Sequence, residues 1–274
     1  MLALPRKADA IHGAAGARHG GEAAALDSRG RSRALLTTAL VVSTLLLLLC
    51  SLVVGSRTIP FPDLFAALLH GGEADIENIV WDLRIPRTFV AYFAGAAIAV
   101  SGVIAQSWTR NPLADPGFIG ITAGASFLVA LGTTLGIATS TGMRTALALL
   151  GAGLATALVL GVSRRFQDPL TLVLVGAGVA AALSSSAMLI GLYSTDVLDS
   201  MRRWTIGSTF GRGPEDVAIA GVGLLIGLII AARVARPLDL LAMGEESSVA
   251  LGGSPTLTRR GAALSIVVLA GCAT

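Results

Sequence analysis

Few side chains in this 274-residue chain are equipped for chemistry, and those few are arginines, amides and acids rather than nucleophiles. Arg84 and Arg87 bracket a proline in Leu83-Arg84-Ile85-Pro86-Arg87. A guanidinium is a planar fork that grips a carboxylate or a phosphate through two parallel bonds, so the pair suits carboxylates or lipid phosphates. Further on, Gln106 closes an apolar run, and an amide inside lipid is costly unless it faces protein or water. It leads into Asn111-Pro112-Leu113-Ala114-Asp115-Pro116-Gly117, where two prolines and a glycine fix a sharp reversal. Asn111 and Asp115 can cap the neighbouring helix ends there. A third cluster, Leu240, Leu241, Met243, Gly244, Glu245, Glu246, Ala250, Leu251 and Gly252, mixes acids with apolar residues around a glycine. A solvated loop has no need of Leu238, Met243 or Val249. The mixture suits a helix seated in a groove on a partner.

The negatives are as informative. The one lysine is Lys7, and no Gly-x-x-x-x-Gly-Lys-Ser/Thr loop exists, so the chain cannot cradle a nucleotide in that way. There is no Gly-x-Ser-x-Gly elbow and no nucleophile with a nearby histidine. His12, His19 and His70 lie in a tail and a loop, without metal-ligand spacing. Cys50 and Cys272 both sit in apolar runs and do not read as a disulfide framework. No catalytic residue, metal site or cofactor is expected.

What positions these residues is a membrane. Hydrophobic residues make up 54% of the chain and charged ones 14%, with a mean hydropathy of +0.77. A soluble domain carries ~25% charge. Uncharged runs recur along nearly the whole length, many of them suited to the ~20 helical residues that cross ~30 Å of hydrocarbon. In lipid the backbone must satisfy its own hydrogen bonds, so the runs are helices. The expected spans are Ala34–Val54, Pro86–Ser107, Phe118–Thr139, Thr145–Val162, Leu170–Tyr193 and Asp216–Val234, then a seventh run, Gly261–Thr274. The first is too long for a signal-peptide core and no Ala-x-Ala site follows it. The seventh is too short to cross unaided, so the chain reads as truncated within a helix. Residues 1–33 read as a disordered tail and 34–274 as one membrane domain, with residues 235–260 as a polar segment on the inner side. Residues 55–83 read as a loop outside the membrane, with one short amphipathic helix over Asp63–His70.

Orientation follows arginine bias. With the N-terminus inside, inner segments outnumber outer ones in basic residues by roughly two to one. The net charge of +3 and the pI near 9.4 therefore point to topology, not to nucleic acid. The spans hold almost no ionisable residues, which disfavours a proton-coupled transporter. Along the second span, Gly95, Ala99, Gly102 and Gln106 recur at helical spacing and make one thin face. Small residues let helices approach closely. The face is either ordinary helix packing or the lining of a central passage whose gate lies near Asn111, Pro112 and Asp115.

The stretch from Leu83 to Ala125, with its Arg-x-Pro-Arg opening, small-residue helix and Asn-Pro-Leu-Ala-Asp-Pro-Gly turn, resembles the FecCD-type permeases of ABC importers for iron-siderophore, haem and cobalamin. Pro237–Glu246 with Ala250-Leu251-Gly252 is similar to that family's cytoplasmic coupling segment, and Trp204-x-x-Gly207-Ser208 to its outer loop. The resemblance implies an all-α polytopic bundle in a bacterial inner membrane. It implies a transport subunit, not an enzyme, with ATP hydrolysis on cytoplasmic ATPase partners. Arg84 and Arg87 would meet carboxylates on an extracytoplasmic substrate-binding protein, and a second permease subunit would complete the path. Family members have about ten spans, and a Gly-Pro-Ile-Gly type block should begin where this sequence stops. The other reading is accordingly a non-transporting fragment with at most an assembly role.

Overall fold

The computed structural model describes residues 31–163, 169–192 and 207–273. Most of the N-terminal tail, Arg164, Arg165, Arg202, Arg203 and Trp204 lie outside these residues. Contacts divide the chain into two compact units, Met1–Phe65 and Ala66–Thr274. The described residues form helices and turns, with no strand among them.

In the first unit, helix α1 runs over Arg31–Val53. Its leucines, among them Leu36, Leu40 and Leu47, are exposed. At 1.5 Å per residue it is about 34 Å long, enough for the hydrocarbon layer. A short helix, α2, covers Phe61–Leu68 at the boundary of the units.

The second unit opens with helix α3, Ala74–Asn78, a widened π-helical turn over Ile79–Arg84, and helix α4, Ile85–Thr109. The three pieces join into one helical run from Ala74 to Thr109. The acidic stretch at Asp75 and Glu77 is therefore helix, not the loop its composition suggests. Pro86 has no N–H to give and crowds the carbonyl one turn earlier. The widened turn just ahead of it lets the helix continue instead of ending there.

After the turn, Asp115 caps a single 3-10 turn, Pro116–Ile119, by accepting the Gly117 N–H at 2.7 Å. Gly120 then takes a left-handed conformation, φ 75°. Those residues are spent on the reversal, so helix α5 is Ile121–Thr134, only 14 residues. At about 21 Å it falls short of the ~30 Å hydrocarbon layer. This corrects the expected full span over Phe118–Thr139. Helix α6 is Thr141–Ser163 and α7 is Pro169–Gly191. Helix α8, Pro214–Ala242, runs unbroken past Pro237. Val234, Leu238 and Leu241 are buried on both sides of that proline, and their packing holds the helix together across the missing bond. Only a short helix, α9, Glu245–Ala250, separates α8 from α10, Pro255–Ala273. The last helix thus begins six residues before the expected Gly261 and has 19 residues, not 14. In all, six helices among the described residues are long and apolar enough to cross a membrane, with α5 as a shorter seventh.

Helix α10 is the centre of the unit. Ala262, Ile266, Leu269 and Ala270 are buried in one apolar cluster with Ala97, Ile104 and Ala105 of α4, Ala152 and Val159 of α6, and Leu238 of α8, and Ser265 is buried beside them. Small residues let the backbones close in. Ser265 Oγ donates to the Gly227 carbonyl of α8 at 3.1 Å. Gly124 of α5 and Gly151 of α6 meet carbonyl against Cα, so a Cβ on either would overlap the other's backbone. Where hydrocarbon tails remove the hydrophobic drive between helices, such contacts supply the association energy.

Candidate functional site

The side chains that the sequence singles out gather at opposite ends of the bundle. One end collects the starts of α4, α6 and α8 and the finish of α10 around a cavity of about 670 Å³. Val90, Ala94 and Ile98 of α4, Val129 of α5 and Ile219 of α8 make its apolar wall. Its polar rim is Thr141, Arg144, Thr145, the Gly207–Arg212 segment and Asp216. Most of these polar groups are engaged. Asp216 pairs with Arg212 at 2.9 Å and also accepts the Gly213 N–H at 2.9 Å, closing the start of α8. Arg144 Nε donates to the Ala138 carbonyl at 3.2 Å.

At this same end the two candidate docking arginines separate. Arg87 is exposed, and its Nε donates to Thr209 Oγ1 at 3.0 Å, tying α4 to the segment before α8. Arg84, at the close of the widened turn, is only 9% exposed. Arg84 is thus buried and Arg87 exposed. Spacing alone would have placed both on one face.

The other end holds the hinge. Helix α8 closes with Leu240, half-buried, and Leu241, buried. Gly244 follows with φ 118° and ψ 154°, a region essentially reserved for glycine. The chain turns there into α9. Glu245 pairs with Arg259 at the start of α10, and Gly252, φ 82°, ends the excursion. The cluster of acids and apolar residues around Gly244 is thus the end of the long α8 followed by one short helix. On its outer surface Met243, Val249 and Leu251 are each about 60% exposed. Glu245, Glu246 and Ala250 are exposed around them.

The turn after α4 lies at this hinge. Gln106 Nε2 donates to the Pro112 carbonyl at 2.9 Å, and Asn111 Oδ1 accepts the Leu113 N–H at 2.9 Å. Sequence reasoning passed over Arg110, counting it only as one more inner basic residue. Its Nη2 donates to the Leu241 carbonyl at 2.5 Å across 131 positions of sequence. The one available signal was its place between a helix end and a proline turn.

Between the two ends runs the small-residue face. Gly95, Ala99 and Gln106 are exposed and Gly102 half-buried, and a Cβ at Gly95 or Gly102 would meet nothing within 4 Å. Among the described residues, nothing packs against this face at Gly95 or Gly102. Among the described residues no group of three or more His, Cys, Asp or Glu side chains converges as a metal site would require.

The chain is similar in sequence and fold to known proteins. A profile of the FecCD transport family matches residues 43–274. The chain is 34% identical to the ferric enterobactin transport system permease protein FepD of Escherichia coli over 87% of its own length and 74% of that protein's. It is 28% identical to the iron-uptake system permease protein FeuB of Bacillus subtilis, over 82% of this chain and 69% of that one. Against the iron(3+)-hydroxamate import system permease protein FhuB of the same organism it is 30% identical, over 81% and 59%. A solved structure of an inward-facing ABC transporter assigned to the metal-chelate type superposes with a TM-score of 0.74 at 25% identity, over 86% of this chain and 74% of that one.

Proposed function

The chain belongs to the FecCD transport family, and from that premise we propose that it is the membrane permease of an ATP-driven importer moving ferric siderophore across a bacterial cytoplasmic membrane. It performs no chemistry itself; ATP is hydrolysed on separate ATPase subunits. The observation that carries this reading is the hinged α9. A six-residue helix with Met243, Val249 and Leu251 exposed beside two glutamates has the composition of a segment seated in a partner's groove. It sits at the end of the bundle away from the cavity, where the N-terminus-inside orientation puts the cytoplasm. The names of the relatives favour iron-siderophore over haem or cobalamin as cargo.

Two further partners follow from the same layout. The open face of Gly95, Ala99, Gly102 and Gln106 suits a second permease subunit across a shared path, because no described residue lies within 4 Å of a Cβ built at Gly95 or Gly102. Lipid would cover the leucines of α1. At the cavity end, Arg87 would meet a carboxylate on a substrate-binding protein, a reading its exposure supports, while the buried Arg84 would hold the helix entry. Arg87→Glu is expected to weaken binding-protein docking at least tenfold at physiological salt, read by surface plasmon resonance on nanodisc-embedded transporter. Arg84→Glu is expected to lower the yield of folded protein instead. Docking untouched by Arg87→Glu would remove the assignment.

The reading as a whole is tested by co-expressing the chain with an ATPase and a binding protein from the same genome and purifying on a tag carried by the chain. Recovery of the ATPase, lost when Met243 and Leu251 are both changed to Glu, is the expected result. A chain that inserts in the membrane but retains no ATPase is the fragment with an assembly role.

A further inference from the structure

The hinge at Gly244 and the small-residue face of α4 belong to different helices, and a motion in one reaches the other only through a physical link. We propose that Arg110 is that link: it locks the end of α4 to the end of α8, so that displacement of α9 is carried into α4. The proposal rests on the coupling role given above to residues 243–251.

The residue is oddly chosen for its backbone. Arg110 ends α4 in the left-handed conformation, φ 51° and ψ 32°, where glycine or asparagine is the usual occupant. An arginine there bears the strain of a Cβ at positive φ, and what it gains is the reach of its side chain. The guanidinium spans to the Leu241 carbonyl, which also accepts the Gly244 N–H at 3.1 Å. Both lone pairs of that oxygen are thus engaged, one by the hinge residue and one by α4. The last carbonyls of a helix carry the negative end of its dipole, so a cation is held there more firmly than a neutral donor would be.

The other end of the link is equally fixed. The Asn111 N–H donates to the Gln106 carbonyl at 3.2 Å, and the Gln106 side chain holds the Pro112 carbonyl. These bonds lash the turn to the final coil of α4, so Arg110 is a rigid extension of that helix. Leu241, its target, is buried in α8. One guanidinium therefore joins three parts: the helix with the open face, the long helix, and the hinge of α9. Arg110 is a positioning residue in this scheme, acting through Leu241 and Gly244 without touching cargo.

The test uses the full chain with its ATPase in proteoliposomes. A cysteine replaces Val103, which is 62% exposed on α4, in a Cys50→Ser, Cys272→Ser background. The rate of maleimide labelling is compared without nucleotide and with ATP plus vanadate. Nucleotide is expected to change the rate at least threefold in the parent. Arg110→Gly is expected to bring the ratio close to one, with the ATPase still bound and the melting temperature undiminished. Glycine fits the left-handed backbone without strain, so loss of fold does not confuse the result. Arg110→Lys, which keeps the charge but not the fork, is expected to restore part of the ratio. A ratio in Arg110→Gly equal to the parent's overturns the link and leaves the coupling reading standing. A parent that binds no ATPase, or whose labelling ignores nucleotide, overturns the coupling reading and the link with it.

Discussion

Gly244→Val is expected to reduce uptake by at least tenfold in reconstituted vesicles while the membrane helices still assemble. The reason is backbone geometry. At φ 118° and ψ 154° a β-branched side chain collides with its own main chain, a conformational cost of about 1–3 kcal/mol. The chain escapes by moving to an allowed conformation, and every such move swings α9 away from its present direction. The Gly244 and Ser248 N–H groups, bonded to Leu241 and Gly244 carbonyls, would lose those partners together. Packing deeper in the bundle is untouched, because Met243 and Glu245 on either side are exposed. The signature is therefore specific: normal insertion, normal melting temperature, and ATP hydrolysis that no longer drives uptake. Gly252→Val serves as a comparison, since it strains a positive φ at the far end of the same excursion. Full uptake in Gly244→Val would show that the direction of α9 is immaterial to transport.

The second large effect lies in the fold itself. Gly151→Leu is expected to prevent recovery of folded, monodisperse protein from the membrane. Gly151 and Gly124 face each other across α6 and α5, each Cα against the other's carbonyl. Any side chain there must push the helices apart, and a side chain as large as leucine cannot be absorbed by rotamer changes, because the obstacle is main chain. Overpacking of this kind costs about 1–3 kcal/mol where the surroundings can yield. Here they cannot, because α5 is short and its neighbours Ile121, Ala125 and Val129 are buried in the same core. Gly153→Leu, two residues along the same helix, meets open space and is expected to be tolerated. Size-exclusion profiles and thermal melts in detergent distinguish the two variants. Equal behaviour would mean that the α5–α6 crossing is looser than its geometry implies.

The membrane helices were legible because their signal is crude: a long run without charge has few alternatives. What the sequence could not give were the places where one rule overrides another. The second span was expected to start at Pro86 and the sixth to end at Val234, short of Pro237, yet helix continues through both prolines. A π-helical turn carries the chain past the first, and buried Val234, Leu238 and Leu241 carry it past the second. The run after Phe118 looks long enough to span, but Asp115, Pro116 and Gly120 consume its first residues in a reversal. For the candidate site, the glycine at Gly244 and the cap at Asp115 were readable, since these rest on local chemistry, whereas Asn111 caps no helix and its Oδ1 accepts the Leu113 N–H within the turn. Arg84 looked equivalent to Arg87 because its burial comes from tertiary packing that three-residue spacing does not reveal. Arg110 was passed over because its partner is 131 positions away. Trp204 and the arginines beside it fall outside the described residues.

The run from Ala74 to Thr109 has a mechanical consequence. Its 36 residues make a rod of about 54 Å, far more than the ~30 Å of hydrocarbon it has to cross. Some 20 Å of it therefore stands in the headgroup layer and the water, with Asp75 and Glu77 at the protruding tip. A tilt of ten degrees about the Arg110 end would carry that tip sideways by roughly 9 Å. The widened turn at Ile79–Arg84 interrupts the regular α-helical bonding of the rod, so its stiffness would set how much of a small tilt at one end emerges as travel at the other.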